Sequence, residues 1–467
     1  MAKTLQTRFR RIDLLAFFLL TCFLLKPAPG QNDEAAKLSL VECENLAFRN
    51  NPLIRDALVD LRFSEAKLTQ TRNKRILPTA TARNVWGPAP RSRGIFNDYG
   101  VLNSPDTSGI GTLGFFTQID VELEQPIYTF GKYAGLASAG FHTVRATEAT
   151  VRQRENEVRL QVRQLYWGLV LGMELLAVIK DAQSEIRKAE NNLQEKLDQG
   201  SEDVSQTDLF KLQLFKYEIA KRRRDAVDKL ELARATLKLV VGLSETDHLE
   251  IETEFIDPVE TELAGLDSYV EIALTDQPKL EKLRAEENAK SARIDVARSQ
   301  YYPQLFVASD ISFNYAQNRF DPSNPFRNSS TNFFRPILMA EARINLNYVQ
   351  TRDKIRIAQA EYELAAQKER ALAEEIGLEV EKAYLELMAN AANMKESRKA
   401  LRASNNWLRS AAMIFDLGVG EVSAFINAYK ANAAMKAEHL QNIFEYNSAV
   451  AKMSHVIGHD LLADTVR

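Results

Sequence analysis

The chain has 467 residues, a formal net charge of −3 and only two cysteines. A near-neutral balance offers no broad basic surface for nucleic acid. Cys43 is the one cysteine after residue 30, so no disulfide can form within that part of the chain, and the five histidines show no metal-ligand spacing. We therefore expect no metal and no cofactor.

Residues 1–30 have the layout of a secretory signal peptide, with a basic start, an apolar run at 14–25 and small residues near a plausible cleavage site. Cys22 raises the question of a lipid anchor, but Thr21 precedes it where a lipoprotein signal carries Gly, Ala or Ser. After residue 30 no apolar run approaches the roughly 18 residues of a membrane-spanning helix. An exported chain of this kind is either soluble outside the cytoplasm or enters a membrane as strands.

The rest of the chain consists of two copies of one plan, at 38–243 and 267–460, with a linker at 244–266 and a tail at 461–467. AFRNNP (47–52) matches ALTDQP (273–278), and GSEDVS (200–205) matches GVGEVS (418–423) without a gap. Low identity between the copies does not obscure this agreement in spacing.

Three helices are predicted in each copy. The first spans 41–77 and 268–302, the second 132–198 and 351–416, and the third 205–241 and 422–457. The second helix would be about 100 Å long, and its apolar residues recur at steps of three and four, as in a coiled coil. Each copy is expected to form a rod in which two stacked short helices flank one long helix.

Each copy also carries one β-hairpin, at 78–125 and 303–346, with strands near 78–87, 114–125, 304–316 and 334–346. In the second strand apolar residues such as Ile119 and Val121 alternate with acidic ones. Arg83 and Asn84 fit neither face of the first strand. The side chains predicted to face water inside a barrel are Asp120, Glu122, Glu124, Asp310, Glu341 and Arg343.

Strands of 10 to 12 residues suit a tilted bilayer crossing, with the apolar face in lipid. A soluble sheet would have to bury that face in a core, and four strands have no core partner except themselves. Four strands are also too few to close around a pore, since the smallest bacterial barrels use eight. The chain must therefore oligomerise, and three copies would supply twelve strands.

The motifs NNP (50–52), PIYTFGK (126–132), LDQGSEDVS (197–205) and LGVGEVSAFINA (417–428) occur in order and in duplicate. With them the chain resembles the outer-membrane efflux protein family, the TolC-like exit ducts, over about 38–460. The resemblance implies a mainly α fold with a transmembrane β portion. Long antiparallel helices in two internal repeats form an α-barrel, and four strands per chain contribute to a twelve-stranded barrel in a homotrimer.

The resemblance also implies partners, namely a periplasmic adaptor (membrane fusion) protein, an inner-membrane transporter and outer-membrane lipid, with no nucleic acid. The glycine turns then form the periplasmic tip where the adaptor docks. The docking residues implied are Gly200, Val204, Ser205, Gly418, Gly420, Val422 and Ser423.

Some relatives carry gate aspartates just past the second turn, where this chain has Ala424 and Asn427. An aspartate ring is therefore not expected at those positions. Neighbouring acids can supply the gate charge instead, because threefold repetition focuses their potential in a narrow pore. The gate candidates are Glu202, Asp203, Asp208, Asp416, Glu421 and Asn427.

The predicted function is non-enzymatic: a passive exit duct of a tripartite efflux or type I secretion system, in the cell outer membrane and extending into the periplasm. The alternative is a soluble periplasmic coiled-coil adaptor or scaffold with its hairpins in a small β domain. An exported enzyme is a distant third interpretation, because no nucleophile, metal site or acid–base pair stands out.

Overall fold

The computed structural model describes residues 37–91, 99, 101, 109–199, 206–244, 247–317, 319, 326, 329, 331–417 and 421–463. The predicted signal peptide, Cys22, both glycine turns and the last four residues of the predicted tail lie outside these residues.

The elements follow the repeat plan. The first repeat contains β1 (Lys37–Leu38), α1 (Leu40–Asn50), α2 (Pro52–Ile76), β2 (Thr79–Arg91), β3 (Gly109–Tyr128), α3 (Lys132–Asp198) and α4 (Gln206–Val241). The second contains β4 (Glu250–Ile251), α5 (Leu266–Asp276), α6 (Pro278–Arg298), a 3-10 turn (Ser299–Tyr301), β5 (Gln304–Ala316), β6 (Phe333–Arg343), α7 (Tyr348–Asp416) and α8 (Val422–Ile457). The predicted fold class, mainly helical with four strands from two internal repeats, is confirmed at this level.

One prediction is wrong: the first helix of each repeat is two helices. The chain leaves the helical region at Asn51 (ψ 129°) and at Gln277 (ψ 116°), and a new helix begins at the proline that follows. A residue before proline is pushed towards extended backbone by the proline ring. Proline is favoured at the first position of the next helix, where no amide donor is required.

At each break, the end of the third helix contacts the first helical segment of the same repeat. Gly242 and Gly458 end the third helices with φ of +77° and +75°, and a Cβ on either would clash with Asn50 or with the Asp276 carbonyl. The Asn51 amide nitrogen donates to the Val240 carbonyl (2.9 Å), and the Gln277 amide nitrogen donates to the Val456 carbonyl (2.6 Å). Each third helix therefore ends against the break in the first helical segment of its own repeat.

The helices form a layer around α3. In the half near the strands, α3 packs between α2 and α6; in the other half it packs between α4 and α8, while α7 packs against α6 and then α8. Ion pairs cross the layer, such as Lys216–Glu190 between α4 and α3 and Lys290–Glu361 between α6 and α7, both at 2.7 Å. Within the described chain, α2, α4 and α7 are the edge helices.

The four long strands form one antiparallel sheet in the order β2-β3-β5-β6. The two predicted hairpins therefore lie side by side, joined through β3 and β5, with Glu122 opposite Asp310 and Val121 opposite Ile311. Strands β2 and β6 are the two edges of this sheet, and within the described chain neither has a second strand partner.

The main core surrounds the middle of α3, where Val158, Val162 and Val170 are fully buried. The predicted linker at 244–266 packs against this core, because Leu249, Ile251 and Ile256 are buried and β4 pairs in parallel with β1. The Tyr166 hydroxyl lies 2.7 Å from the Thr253 hydroxyl. The segment joining the repeats is thus a packed part of the helical layer.

Among the described helices, α3 alone is long and apolar enough to cross a membrane by length and composition, although no such helix is expected from the apolar runs after residue 30. Buried core helices pass the same test. Leu169, Val170 and Leu171 of α3 are buried in the main core, so this apolar stretch is explained by packing between helices.

Candidate functional site

The strand register sorts the sheet into two chemically different faces. Asp120, Glu122 and Glu124 of β3 share one face with Asp310 and Ser312 of β5, which we name the polar face. Ile119, Val121, Leu123, Ile311 and Phe313 share the other, which we name the apolar face. On β6, Leu338 continues the apolar face because it lies opposite Ser309, which alternates with Asp310.

On β5 the side chains of the polar face are the more enclosed, whereas on β3 Glu122 is exposed and Val121 is half-buried. Phe306, on the polar face, is 5% exposed, whereas Leu338, on the apolar face, is 77% exposed. Phe115, Phe313 and Tyr315 of the apolar face are also exposed. A soluble sheet with one solvated face encloses its apolar side, so exposed apolar side chains on this face are not what is expected of a water-soluble sheet.

The first strand supplies a polar-face residue that the sequence could not place. Arg83 lies opposite Asp120, so its side chain belongs to the polar face, and Thr81 lies opposite Glu122. Asn84 lies on the apolar face, where its side-chain oxygen accepts a 3.3 Å hydrogen bond from the Thr117 hydroxyl. Side-chain alternation could not assign Arg83, because only the pairing of β2 with β3 sets its position.

Three of the predicted lumen residues come together near the helical end of the sheet. The Arg343 guanidinium donates from Nη2 to Glu124 Oε2 (3.1 Å) and from Nε to Glu341 Oε1 (3.0 Å). It also lies 4.6 Å from the centre of the Phe306 ring. This cluster joins β3, β5 and β6 and carries one more negative than positive charge.

Two of the other three predicted lumen acids, Asp120 and Asp310, take part in short-range hydrogen bonds along their own strands. Gln118 Nε2 donates to Asp120 Oδ2 (2.8 Å), and the Ser312 hydroxyl donates to Asp310 Oδ1 (3.0 Å). Charges tied to neutral hydrogen-bonding groups on a polar sheet face suit a water-filled passage rather than a closed core.

The far end of the helical layer has its own apolar core, which we name the tip core. It contains Leu193, Leu212, Phe215, Phe415 and Phe425. The Phe415 and Phe425 rings stack with centroids 4.9 Å apart, joining the end of α7 to the start of α8. The ends of all four helices are therefore held together at one place.

The structure places some of the predicted tip residues. Val422 is 4% exposed and belongs to the tip core, so its side chain is not offered to a partner. The Ser423 hydroxyl donates to Glu421 Oε2 (2.9 Å), and Asp208 pairs with Lys211 (3.0 Å).

Asp416, Glu421, Ala424 and Asn427 are exposed at the ends of α7 and α8. The remaining tip predictions fall outside the described residues; they are Gly200, Glu202, Asp203, Val204, Ser205, Gly418 and Gly420. Docking and gating roles for all of these positions stay predictions. In the part of the chain that is described, no group of three or more His, Cys, Asp or Glu side chains is arranged to hold a metal ion.

The second repeat matches a known family. Residues 269–459 match the family model described as Outer membrane efflux protein. The resemblance inferred from the duplicated motifs is thereby confirmed over the second repeat. No curated protein matches the sequence of this chain.

Solved structures show the same fold at low identity. VceC, an outer membrane protein of Vibrio cholerae, is 12% identical, with 90% of this chain and 96% of that one covered and a TM-score of 0.69. The MtrE outer membrane channel of Neisseria gonorrhoeae, solved in its open state, is 15% identical, with 90% and 89% covered and a TM-score of 0.70. The CmeC outer membrane channel of Campylobacter jejuni is 15% identical, with 90% and 85% covered and a TM-score of 0.68. The fold is therefore that of the outer-membrane channels.

Proposed function

We propose that this chain is a subunit of an outer-membrane exit duct, a passive channel that carries cargo from the periplasm to the outside. Three copies close their sheets into a twelve-stranded barrel in the outer membrane, and their helices continue it as a tunnel into the periplasm. The chain catalyses no reaction. It provides a water-filled channel through the outer membrane and across the periplasm.

The observation that carries the proposal is the division of the sheet into two faces. One face carries the acidic and polar side chains, and the other carries apolar side chains, many of which are exposed. Exposed apolar side chains and a polar face are stable together when hydrocarbon surrounds the sheet and water fills it. A soluble adaptor or scaffold, the alternative function, would leave the apolar face in water, and none of the described elements covers it.

Closure of the barrel requires other copies, because backbone groups on the edges of β2 and β6 need partners in lipid. Proline cannot donate to a strand ladder and is confined largely to edge strands. Pro88 and Pro90 lie in β2, and Pro336 lies in β6. Both edges have amides left to pair, so we place the seams between subunits there.

The edge helices support the same assembly. Leu214 and Leu239 of α4 and Leu378 and Leu385 of α7 are exposed apolar residues on opposite edges of the layer. Exposed apolar side chains on the edges of a layer are available for association with another subunit. We propose that these helices pack against those of neighbouring copies.

The helical tip is the proposed contact with a periplasmic adaptor, and an inner-membrane transporter supplies the energy. We place the adaptor contacts around the two glycine turns and Ser423. We assign the gate charge to the exposed acids Asp416 and Glu421, with Asp208 beside them. Substitution of Glu421 by lysine is expected to change the ion preference of the channel, because every charge at the tip occurs three times.

The test is assembly and conductance of the full chain. Protein extracted in detergent should have the mass of a trimer by light scattering, and it should form ion-conducting pores in planar lipid bilayers. A monodisperse monomer that stays in solution without detergent would contradict the barrel and support the soluble scaffold.

A further inference from the structure

The two edge helices that adjoin the sheet carry basic side chains where they meet it. We name as junction cations the set in the last turns of α2 and the set in the first turns of α7, which are Arg72, Lys74 and Arg75, and Arg352, Lys354 and Arg356. All six residues are exposed. Asp353, 3.8 Å from Arg352, is the one acidic residue in 71–77 and 348–357. The whole chain has a net charge of −3, so this excess of positive charge is a local feature.

Contacts between neighbouring helices give the height of the α2 set along the helical layer. Gly140 of α3 packs against Leu68 of α2, whereas Gly135 of α3 packs against Val296 of α6. Because α3 runs antiparallel to both of these helices, the end of α2 is level with the end of α6.

The end of α6 is in turn level with the start of α7. Lys354 Nζ of α7 donates to Oε1 of Gln300 (3.0 Å), which lies just after α6. Counted along the helices at about 1.5 Å per residue, Lys74 lies within about one helical turn of the height of Arg356. The two sets of junction cations therefore lie at one height on opposite edges of the layer.

A ring of copies brings the two sets together. Rotation about an axis preserves the position along that axis, so α2 of one copy meets α7 of the next at the height of the junction cations, where the proposed seam joins β2 to β6. Each seam then gathers six cations and one carboxylate. Like charges repel, so anions held between the two helices would stabilise the seam.

Exposed apolar side chains lie on the strand side of both sets. Ile76 and Leu77 follow the α2 set, and Leu346 and Val349 precede the α7 set, and all four are more than half exposed. From the sheet towards the helices, the surface therefore changes from apolar to basic within a few residues. A phospholipid has the same order of groups, with acyl chains beside a charged headgroup.

A groove beside Lys74 offers hydrogen-bonding groups at the same place. It has a volume of about 480 Å³ and runs along the end of α2, where it is lined by Thr69, Gln70, Asn73, Lys74 and Leu77. Hydroxyl, amide and ammonium groups can donate to phosphate oxygens, and the ammonium adds charge to the hydrogen bond. The groove therefore has the chemistry of a headgroup site.

We propose that the headgroups of anionic phospholipids bind at the seams, between α2 of one copy and α7 of the next, and that they stabilise the trimer. The inference rests on the function proposed above, and it makes lipid of the outer-membrane leaflet beside the helices a specific ligand of the assembly. The group recognised is a phosphate. The exposed apolar side chains beside the cations select a phosphate that carries acyl chains over free phosphate.

The test uses the full-length trimer in detergent, mixed with phosphatidylglycerol and phosphatidylcholine. Native mass spectrometry counts the lipids that the trimer retains. Phosphatidylglycerol should be retained in multiples of three, because each trimer has three seams, and phosphatidylcholine, whose headgroup has no net charge, should not be retained. The double variant Lys74→Gln with Arg356→Gln removes one cation from each side of the seam, and it should bind phosphatidylglycerol about tenfold more weakly.

The matched control is Lys368→Gln with Arg370→Gln, which removes the same two charges at exposed positions of α7 about 20 Å further from the sheet. It should retain phosphatidylglycerol as the wild type does. Added phosphatidylglycerol should raise the temperature at which the trimer dissociates for the wild type and the control, but not for the junction variant. Equal lipid retention by the two variants would overturn the proposal.

Three further outcomes are distinguishable. Displacement of the lipid by excess inorganic phosphate would overturn the proposal in favour of a site for free phosphate. A junction variant that retains lipid but has a changed ion preference in planar bilayers would place these cations in the channel, and this result would also overturn it. A conducting trimer that retains no anionic lipid would overturn this inference alone, whereas a monomer that stays soluble without detergent would contradict the proposed function.

Discussion

Replacement of Arg163 by methionine is expected to loosen both ends of the described chain from its central helix. Arg163 of α3 is 3% exposed and donates to Glu44 of α1 (2.6 Å) and to both carboxylate oxygens of Asp460 (2.7 and 2.8 Å). The Arg163 side chain therefore joins three parts of the chain, which are α1, the middle of α3 and the segment after α8.

The size of the effect follows from what the substitution leaves behind. Glu44 and Asp460 have side chains only 13% and 20% exposed, and Arg159, at 3.9 and 3.8 Å, would be their remaining cationic neighbour. Removal of one partner of a buried ion pair costs about 3–5 kcal/mol. Since Arg159 compensates in part, we expect about 3 kcal/mol, which is roughly a hundredfold change in a local opening equilibrium.

Hydrogen exchange of the α1 amides measures that opening directly. In the Arg163→Met variant these amides should exchange roughly a hundred times faster than in the wild type. The control is Arg145→Met on the same helix, which removes a more exposed i,i+3 pair with Glu148 and should change exchange little. Unchanged α1 exchange in Arg163→Met would refute the assignment of this cluster as the tie between the chain ends.

The same cluster predicts an acid sensitivity. Burial acts to raise the pKa of Asp460, but hydrogen bonds and charge from Arg163 outweigh it and hold this pKa below the ordinary 3.8. A lowered pKa contributes stability that is present above the ordinary value and is lost as pH falls through the folded value. Protection of α1 should therefore decline below about pH 4 in the wild type, and Asp460→Asn should remove that part of the decline.

The remaining predictions concern three other sites. Burial, with the charges of Glu42 and Glu44, raises the pKa of Cys43 to about 12, so iodoacetamide should label it only after denaturation. Gly458 has φ +75°, and a Cβ added there would lie 2.7 Å from the Asp276 carbonyl oxygen, whereas Gly131 has φ +90° and a Cβ there would meet no atom within 4 Å. Gly458→Ala should therefore lower the melting temperature more than Gly131→Ala does. Equal shifts would mean that the junction does not constrain Gly458. Leu193 is fully buried in the tip core, and Leu193→Ala should destabilise that core by about 3 kcal/mol. The expected result is faster proteolysis near the tip while the sheet stays protected.

Local signals in the sequence were sufficient to predict the bounds of the long helices. The predicted bounds of the first long helix and of the last helix coincide with α3 (Lys132–Asp198) and α8 (Val422–Ile457). Periodicity of apolar residues and punctuation by glycine are local properties, so they can be read without knowledge of the fold. The breaks before Pro52 and Pro278 were not predicted, although proline is favoured at the first position of a helix and is therefore a local signal for a helix start.

Contacts between residues far apart in the chain could not be predicted from the sequence. Arg83 joins the polar face only because β2 pairs with β3 in one register, and a shift by one residue would move it to the other face. Arg163 and Asp460 are 297 positions apart, and no spacing rule connects them.

The central claim is that the apolar face of the sheet contacts hydrocarbon while the polar face contacts water. Val121 and Glu122 are neighbours on β3 with opposite directions, so they form a matched pair. Each is replaced by cysteine in a Cys43→Ala background, labelled with a fluorophore and reconstituted in lipid vesicles. The account predicts that the label at position 121 is quenched by brominated lipid and the label at 122 by aqueous iodide. Equal quenching of both labels by iodide, with none by lipid, would contradict it.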